Sequence, residues 1–535
     1  MSRRLVKSAG IISIATAASR VLGMVRDAVQ GAYFATGSAA DAFNVATRIP
    51  TLLRDLFAEG AMSAAFVPTF TKTLATEGRD AAWRLGAQVI NTLLLITGVL
   101  VVLGIVFAEP LTVWFAGDYA NIPGKLPLTI ELVRVNMPFL LLIAIAAACM
   151  GMLNALKRFV APAAAPALYN LVFIVCTIAF YPLFRATGID PVMSLSAGML
   201  IGGIAQIVAQ WPGLRREGYR HSWSIDFKNP HLREMLALMG PATLGAAAAQ
   251  INLLVNTRFA TGAEPGAVSA LNYAFRLMYM PVGIIGVAVA TAAIPDLARH
   301  AATKSYDEMR GTLSWGMRLM LMLSVPATVG LMVLAAPIVQ LIFERKNFLP
   351  HDTTLVANAL FYYAPGIVGY SIVKLASPSF YSLRDSRTPV IISVVTIAVN
   401  VALNWWLVGR LGFQGLALGT SIAATVNATL LLIFLSPKLH GLDGAKVLIA
   451  ILKIAAASMV MGLAAHWAYR GLNGAVPATV FGTRELARAL TVFGAVGAGM
   501  GALAIASWAF RIEEFRQAMA RVLARVNRHR TSAPP

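Results

Sequence analysis

Residues 90–108 read INTLLLITGVLVVLGIVFA, a stretch in which no side chain is charged. A helix rises 1.5 Å per residue and the hydrocarbon core of a bilayer is about 30 Å thick, so about 20 apolar residues cross it. This stretch and its flanks therefore predict a membrane-spanning helix over about residues 84–108. Comparable stretches recur along the whole chain of 535 residues.

The composition of the chain agrees with a membrane protein. Hydrophobic residues make up 58% and charged residues 13%, whereas soluble domains are about 25% charged. The mean hydropathy of +0.70 also excludes a disordered chain, which needs low hydrophobicity and high charge. The only two cysteines, Cys149 and Cys176, lie in apolar runs, which excludes a disulfide scaffold.

Hydropathy predicts an all-α polytopic membrane protein with about 14 transmembrane helices. A cleaved signal peptide is not expected at the N-terminus, because the first apolar stretch is short and continues through Arg20 and Arg26. The predicted spans are 8–34, 40–73, 84–108, 128–156, 161–184, 192–213, 233–260, 266–297, 312–342, 354–382, 388–409, 414–436, 446–470 and 486–510.

The distribution of basic residues predicts the orientation of these spans. The formal net charge is +20, and most Lys and Arg residues fall in alternate short loops, while the opposite loops hold few, Lys125 among them. Under the positive-inside rule this predicts a cytoplasmic-membrane protein with both termini in the cytoplasm. No nucleic-acid partner is expected, since binders of nucleic acid gather their charge on one face. The tail after Arg511 is predicted as a basic helix on the inner leaflet or as a solvated segment.

The chain carries an internal repeat. The pattern of residues 44–48, NVATR, returns as NYAFR at 272–276, a lag of 228 residues. Pro68 and Lys157 have counterparts at a lag of 227, Pro295 and Arg384. We predict a six-helix lobe at 1–228, a second at 229–440, two further helices at 441–512 and a basic tail at 513–535. Parallel repeats of this kind are typical of alternating-access transporters with a site between the lobes.

Ionisable residues inside the predicted spans are the candidate functional residues. Each costs at least about 2.5–3.5 kcal/mol in a bilayer unless it faces water, a partner or a substrate. Cations outnumber acids there, and excess arginine in a water-filled cavity suits phosphate and carboxylate groups. The alternative is a set of structural ion pairs, such as Arg26 with Asp27 or Arg48 with Asp41. The predicted interior cations are Arg20, Arg26, Arg48, Arg276 and Lys374, and the predicted interior acids are Asp27, Asp41 and Glu59.

Helical geometry predicts where the ionisable side chains of the first two spans lie around the helix axis. In the second span, Asp41, Asn44, Arg48, Asp55 and Glu59 fall within an arc of about 60°, which predicts one polar stripe. In the first span, Arg20 and Arg26 share no face of a straight helix, and a break near Gly23 would bring both to one cavity. No catalytic motif, Walker loop or clustered metal ligands is present, so neither an enzyme nor a metal or cofactor site is expected.

Five segments resemble the MurJ (MviN) family of lipid II flippases, within the multidrug/oligosaccharidyl-lipid/polysaccharide exporter superfamily. The resemblance extends over nearly the whole chain, including the plan of six, six and two helices. The segments are SRVLGMVRD at 19–27, DAF at 41–43, RIPTLLR at 48–54, FAEGA at 57–61 and FVP at 66–68.

The resemblance implies that the protein moves an undecaprenyl-diphosphate-linked disaccharide-peptide from the inner to the outer leaflet. It implies that Arg20, Arg26 and Arg276 are cavity residues. We expect these three to bind the diphosphate, with Arg48 and Lys374 assisting. Gating or ion-pair roles fall to Asp27, Asp41, Arg54 and Glu59. Partners are this lipid and membrane lipids, with cell-wall synthesis proteins as open candidates. Membrane potential, Na⁺ and protons all remain open as the energy source.

The sequence also departs from the family pattern. Phe275 and Tyr279 stand where some members carry acids, and Asp55 replaces a second basic residue after Arg54. Three other functions stay open at this point. They are a flippase for another polyprenyl-diphosphate-linked sugar, a drug or cation antiporter of the same superfamily, and a membrane scaffold for cell-wall enzymes. The basic excess disfavours the antiporter, and a scaffold needs no charge inside its spans.

Overall fold

The computed structural model describes residues 3–56, 62–477, 479–480 and 483–517, and helices make up most of them. The helices up to residue 261 are α1 Arg3–Phe34, α2 Ser38–Ala46, α3 Arg48–Arg54, α4 Met62–Thr76, α5 Arg79–Val106, α6 Ala108–Ala116, α7 Lys125–Asn136, α8 Phe139–Ala155, α9 Val160–Thr187, α10 Met193–Arg216 and α11 Pro230–Thr261. The later ones are α12 Ala267–Pro281, α13 Val287–Ala302, α14 Tyr306–Val333, α15 Ala335–Phe343, α16 Pro350–Tyr363, α17 Gly366–Ser382, α18 Arg387–Leu411, α19 Gln414–Leu435, α20 Gly444–Ala475 and α21 Arg484–Ala509.

The helices confirm an all-α multi-pass membrane protein. Ten helical segments of the described residues are long and apolar enough to cross a membrane, and the bent pair α16–α17 makes an eleventh, with 46° between its two helices. Outside these lie α1 and α11, each 32 residues long, and the broken run α2–α4. These helices are consistent with the predicted number of about 14 spans. The predicted basic tail at 513–535 lies outside the described residues beyond residue 517.

The predicted second span, 40–73, is not one straight helix. α2 ends at Ala46, α3 begins at Arg48, and the backbone turns π-helical at residues 55 and 56. Pro50 has no N–H to donate to the carbonyl of Ala46, which explains the interruption between α2 and α3. The predicted polar stripe therefore does not continue along one helix face. Conversely, α1 runs through Gly23 without a break.

The chain forms two compact units. The first unit holds Met1–Ser269 with Arg345–Leu349, and the second holds Ala270–Glu344 with Pro350–Pro535. The boundary falls inside α12, so the lobe limits drawn from the sequence stay predictions. Each unit has its own apolar core. Phe66, Phe70 and Trp83 pack in the first, and Met317, Leu375 and Phe380 in the second.

The helix bounds repeat along the chain. α14 begins and ends 227 residues after α5, α15 does so after α6, and α17 does so after α8. The turns that follow α8 and α17 also correspond, since Lys157 and Arg384 both adopt φ +58°. Three helix pairs and one turn conformation with a common offset establish the repeat at the level of structure.

Small residues let neighbouring helices approach closely in both units. A Cβ atom on Gly198 would lie 2.9 Å from the carbonyl oxygen of Phe173, so α10 touches the backbone of α9. In the second unit, a Cβ atom on Gly369 of α17 would lie 2.6 Å from the carbonyl carbon of Ala424 in α19. Such contacts are typical of helix packing in membranes, where dispersion rather than the hydrophobic effect holds helices together.

Candidate functional site

Arg26 is held by side chains of α1 and α9 in the first unit. Its Nη2 and Nε atoms donate to Oδ1 of Asp27 at 2.9 and 3.2 Å, and its Nη1 atom donates to Oδ1 of Asn170 at 3.1 Å. The guanidinium carbon lies 5.5 Å from the centre of the Phe173 ring. Asn170 also donates to the carbonyl of Ser19 at 3.2 Å, so α9 fixes both the backbone of α1 and its arginine. We call Arg26, Asp27 and Asn170 the Arg26 clamp.

Arg20 differs sharply from Arg26. Its side chain is exposed, and no carboxylate among the residues that the structure describes lies within ion-pair distance of it. Arg20 is 17 residues from the start of α1 and 14 from its end, or more than about 20 Å from either end at 1.5 Å per residue. Because α1 is unbroken, six residues turn Arg20 and Arg26 to different sides of the helix.

Asp41 lies at the centre of a buried polar cluster in the first unit. Its Oδ2 atom accepts from Nζ of Lys125 and from the backbone N–H of Gly266, both at 2.8 Å. Its Oδ1 atom accepts from the N–H and the hydroxyl of Ser269 at 2.9 and 2.7 Å. Both charged side chains are 1% exposed. We call Asp41, Lys125, Gly266 and Ser269 the Asp41 cluster.

Both oxygen atoms of the buried Asp41 carboxylate accept hydrogen bonds, and Lys125 supplies its countercharge, as burial of a charge requires. Nζ of Lys125 lies 3.9 Å from the centre of the Tyr119 ring, which adds a cation–π contact. The bonds from Gly266 and Ser269 place a carboxylate at the N-terminus of α12, where free N–H groups and the helix dipole favour negative charge. The structure therefore pairs Asp41 with Lys125, and not with Arg48 as the ion-pair alternative had it.

Two further predicted residues, Arg48 and Arg54, are the first and last residues of α3. Arg48 is half-buried at the start of that helix. Arg54 donates to Oδ1 of Asp55 at 2.6 and 2.8 Å, and Gln250 donates to Oδ2 of the same carboxylate at 3.1 Å. Glu59 lies outside the described residues.

In the second unit, the predicted cations are exposed within membrane-spanning segments. Arg276 belongs to the third turn of α12 and Lys374 to the middle of α17, and both side chains are exposed. The stem of Lys374 packs beside the π-helical turn Val282–Gly286, since a Cβ atom on Gly286 would lie 3.3 Å from its Cγ atom. π-helical turns are frequent at functional sites.

Sequence reasoning missed the roles of Lys125, Gly266 and Ser269 in binding Asp41. The sequence predicts a loop at Lys125, but its charged side chain is buried at the first residue of α7. Only contacts distant in sequence reveal these roles, so no local signal could have found them. Within the described parts of the chain, no group of three or more His, Cys, Asp or Glu residues could hold a metal ion.

The chain is similar to known proteins in both sequence and structure. The family model described as lipid II flippase MurJ matches residues 31–479. A probable lipid II flippase MurJ of Rhizobium meliloti is 34% identical over 503 residues, covering 93% of this chain and 92% of its own. A probable lipid II flippase MurJ of Vibrio cholerae is 34% identical over 440 residues, covering 81% and 83%.

Solved structures agree with the sequence comparisons. The structure of a lipid II flippase MurJ in an inward closed conformation is similar at a TM-score of 0.75 and 26% identity, covering 95% of this chain and 99% of its own. An inward-facing multidrug resistance transporter of the MATE family shares the fold at a TM-score of 0.63 and 14% identity, covering 79% and 96%. The sequence motifs, the repeated helices and these matches agree, and the chain belongs to the lipid II flippase MurJ family.

Proposed function

We propose that this protein carries lipid II from the inner to the outer leaflet of the cytoplasmic membrane by alternating access through a cationic cavity. Family membership supports the substrate, because the relatives are named lipid II flippases. The observation that carries the cationic cavity is the exposure of Arg20, Arg276 and Lys374. Arg20 lies midway along the 32-residue helix α1, and Arg276 and Lys374 lie in helical segments that are long and apolar enough to cross a membrane.

The exposure of a cationic side chain inside a membrane-crossing segment has a specific energetic consequence. A cationic side chain in hydrocarbon costs at least about 2.5–3.5 kcal/mol, so exposed cations far from helix ends favour a water-filled cavity over lipid. The ligand that best offsets such charges is an anion with several oxygen atoms, such as a diphosphate or a peptide carboxylate. In this proposal, Arg20, Arg276 and Lys374 bind the headgroup, Arg48 and Arg54 assist, and the prenyl tail stays in the lipid.

The two anchored groups take different roles in the proposal. Asp27 and Asn170 hold Arg26 in one rotamer on a different side of α1 from Arg20, so in this proposal Arg26 anchors α1 to α9. The Asp41 cluster fastens the first turn of α12, and Arg276 follows in the same helix. Releasing Asp41 from Gly266 and Ser269 would free that helix to move. We propose this release as one gating step of alternating access.

The energy source is a further part of the proposal. A charge that crosses the membrane couples to the membrane potential at about 2.3 kcal/mol per 100 mV. Reorientation of a cationic cavity with and without its anion would move net charge and would therefore respond to voltage. Coupling to Na⁺ or to protons is the alternative, and flipping measured in vesicles with an imposed potential, an imposed Na⁺ gradient or an imposed pH gradient separates the three.

A complementation assay tests the proposed function. A strain depleted of its own lipid II flippase receives the wild-type gene, Arg20→Ala, Arg276→Ala or Arg220→Ala, each at matched membrane expression. Arg220 is exposed in the loop after α10 and serves as the control. We expect the wild type and the control to restore growth and the two interior variants to fail. Rescue by both interior variants would overturn the cationic cavity, and failure of the wild type would overturn lipid II as substrate.

A further inference from the structure

Four aromatic side chains of the second unit form a connected cluster. The rings of Phe275 and Tyr279 on α12 stack with 5.6 Å between centres and 18° between planes. Tyr370 of α17 meets both rings edge-on, at 6.4 Å from Phe275 and 6.0 Å from Tyr279. Tyr363 at the end of α16 meets Phe275 edge-on at 5.6 Å. We call Phe275, Tyr279, Tyr363 and Tyr370 the aromatic cluster.

The cluster is not a closed core. Tyr363 is buried, but Phe275, Tyr279 and Tyr370 each keep part of their surface exposed. Aromatic rings that only joined helices would be expected to bury this surface, because each ring gains most from complete burial. The exposed part of three adjoining rings is a platform on which a further molecule can pack.

Two cations flank this platform. On α12, Arg276 lies about 60° around the helix from Tyr279, since three residues turn the chain by about 300°. On α17, Lys374 follows Tyr370 by four residues and lies about 40° from it. Both cationic side chains are exposed. The surface that they share with the rings is therefore a wet, polar surface and not one that faces hydrocarbon.

A pyranose has the chemistry that this surface recognises. The faces of sugar rings carry C–H groups, which pack on the negative face of an aromatic ring, while their hydroxyl groups stay hydrated. A prenyl chain would not tolerate two adjoining cations, and a free anion would not need the rings. A sugar that is linked to a diphosphate uses both parts of the surface at once.

We propose that the aromatic cluster binds a sugar ring of the transported headgroup while Arg276 and Lys374 bind its anionic groups. This inference rests on the proposed function and adds a sugar-binding subsite to it. It assigns Tyr279 and Tyr370 as specificity-determining residues, which distinguish a glycosylated polyprenyl diphosphate from a bare one. Neither residue belongs to the predicted set of charged site residues.

The test compares two ligands that differ only in the sugar-peptide part. Purified full-length protein in nanodiscs is titrated with lipid II and, separately, with undecaprenyl diphosphate. The variants are Tyr279→Leu and Tyr370→Leu, with Tyr279→Phe and Tyr370→Phe as conservative variants that keep the ring. The control is Tyr381→Leu, which removes an exposed tyrosine from the same helix α17.

We expect each leucine variant to bind lipid II roughly 3- to 10-fold more weakly, the size of effect that a lost aromatic contact produces. Binding of undecaprenyl diphosphate should stay within about twofold, and the phenylalanine variants and Tyr381→Leu should resemble the wild type. An equal loss for both ligands, or no loss for lipid II, would overturn the sugar subsite. The proposed function fails separately, if wild-type protein does not bind lipid II.

Discussion

Arg26, Asp27 and Asn170 of the first repeat form a clamp on α1 and α9, whereas the corresponding positions of the second repeat are aliphatic. At offsets of 227 and 228 residues, the counterparts of the two charged residues lie in Leu253–Val255, and the counterpart of Asn170 is Ile397. The repeated helix bounds therefore preserve the backbone without preserving its polar side chains.

At three other positions the difference between the two repeats is reversed, and the second repeat holds the larger or charged side chains. Phe275, Tyr279 and Lys374 correspond to Thr47, Thr51 and Ala147. Rings and an exposed cation thus stand where the first repeat has small or uncharged side chains. The comparison teaches that duplication supplied one helical scaffold twice. In the first copy, Arg26 and Asp41 are held by fixed partners, whereas at the compared positions the second copy presents rings and an exposed cation.

The largest expected effect comes from breaking the buried pair of the first repeat. Lys125→Met leaves the Asp41 carboxylate buried without its countercharge, and removing one partner of a buried ion pair costs about 3–5 kcal/mol. We expect a much lower unfolding temperature in detergent and no rescue in the complementation assay. Combining Lys125→Met with Asp41→Asn removes the lone charge and should restore part of the stability. An unchanged unfolding temperature in Lys125→Met would refute the anchoring role of this pair.

A smaller effect is expected from the backbone that binds Asp41. Gly266 adopts φ +91°, and an added Cβ atom would overlap the carbonyl oxygen of Thr36. Gly266→Ala should therefore cost more than the 1–3 kcal/mol or so of left-handed backbone strain alone. Gly78→Ala is the matched control, because Gly78 has φ +87° and nothing within 4 Å of the added atom. Equal unfolding temperatures for the two variants would show that the close contact with Thr36 has no energetic weight.

The next effect in size is expected from replacing one buried asparagine in each repeat, Asn170 and Asn400. Asn170→Leu removes the bonds to Arg26 and to the carbonyl of Ser19, and unsatisfied buried groups cost about 1–3 kcal/mol. Asn400 is buried in α18 and accepts a bond from Asn404 of its own helix at 3.1 Å. Asn400→Leu should cost less, because it disconnects no second helix. The unfolding temperatures of both variants test this order, and the reverse order would contradict the clamp.

The sequence predicted the scaffold better than the site because the two depend on different ranges of interaction. Apolar length and the 227-residue lag are local or periodic properties, and they predicted the helices and the repeat. The five short segments between residues 19 and 68 indicated the family. Arg20 and Lys374 lie within apolar runs that hold no nearby acid, and this pattern predicted cations that face water instead of an acidic partner. By contrast, the partner of Asp41 is 84 residues away, and helical geometry within one span could not identify it.

Two structural details show how packing decides what periodicity leaves open. The interruption before Arg48 depends on Pro50, whose position in the sequence allowed either a kink or a break. The aromatic cluster joins residues of α12, α16 and α17 that are up to 95 positions apart, and hydropathy treats its members as ordinary apolar residues of separate spans. Both features required the three-dimensional arrangement, not a longer motif.

The smallest expected effect compares the turns after α8 and α17, where the charges are reversed. In the second repeat, Asp385 accepts from the hydroxyl and the N–H of Thr388 at 2.6 and 3.0 Å and pairs with Lys438 at 3.0 Å. At the corresponding place in the first repeat, Arg158 donates to Glu217 at 2.7 Å, with its own side chain 66% exposed. Bonds from Thr388, together with Lys438, lower the pKa of Asp385 to about 2.

The sign of the pH dependence follows from that lowered pKa. Stability from Asp385 is present above the ordinary carboxyl pKa of about 4 and is lost as the pH falls towards 2. Thr388→Val should move this loss to higher pH, as measured by unfolding temperature between pH 7 and pH 3. At pH 7, Asp385→Ala should cost about 1 kcal/mol, as loss of a bond to the first helical turn does. Arg158→Ala should cost less, since exposed pairs contribute about 0–1 kcal/mol, and the opposite order would contradict the contrast between the two turns.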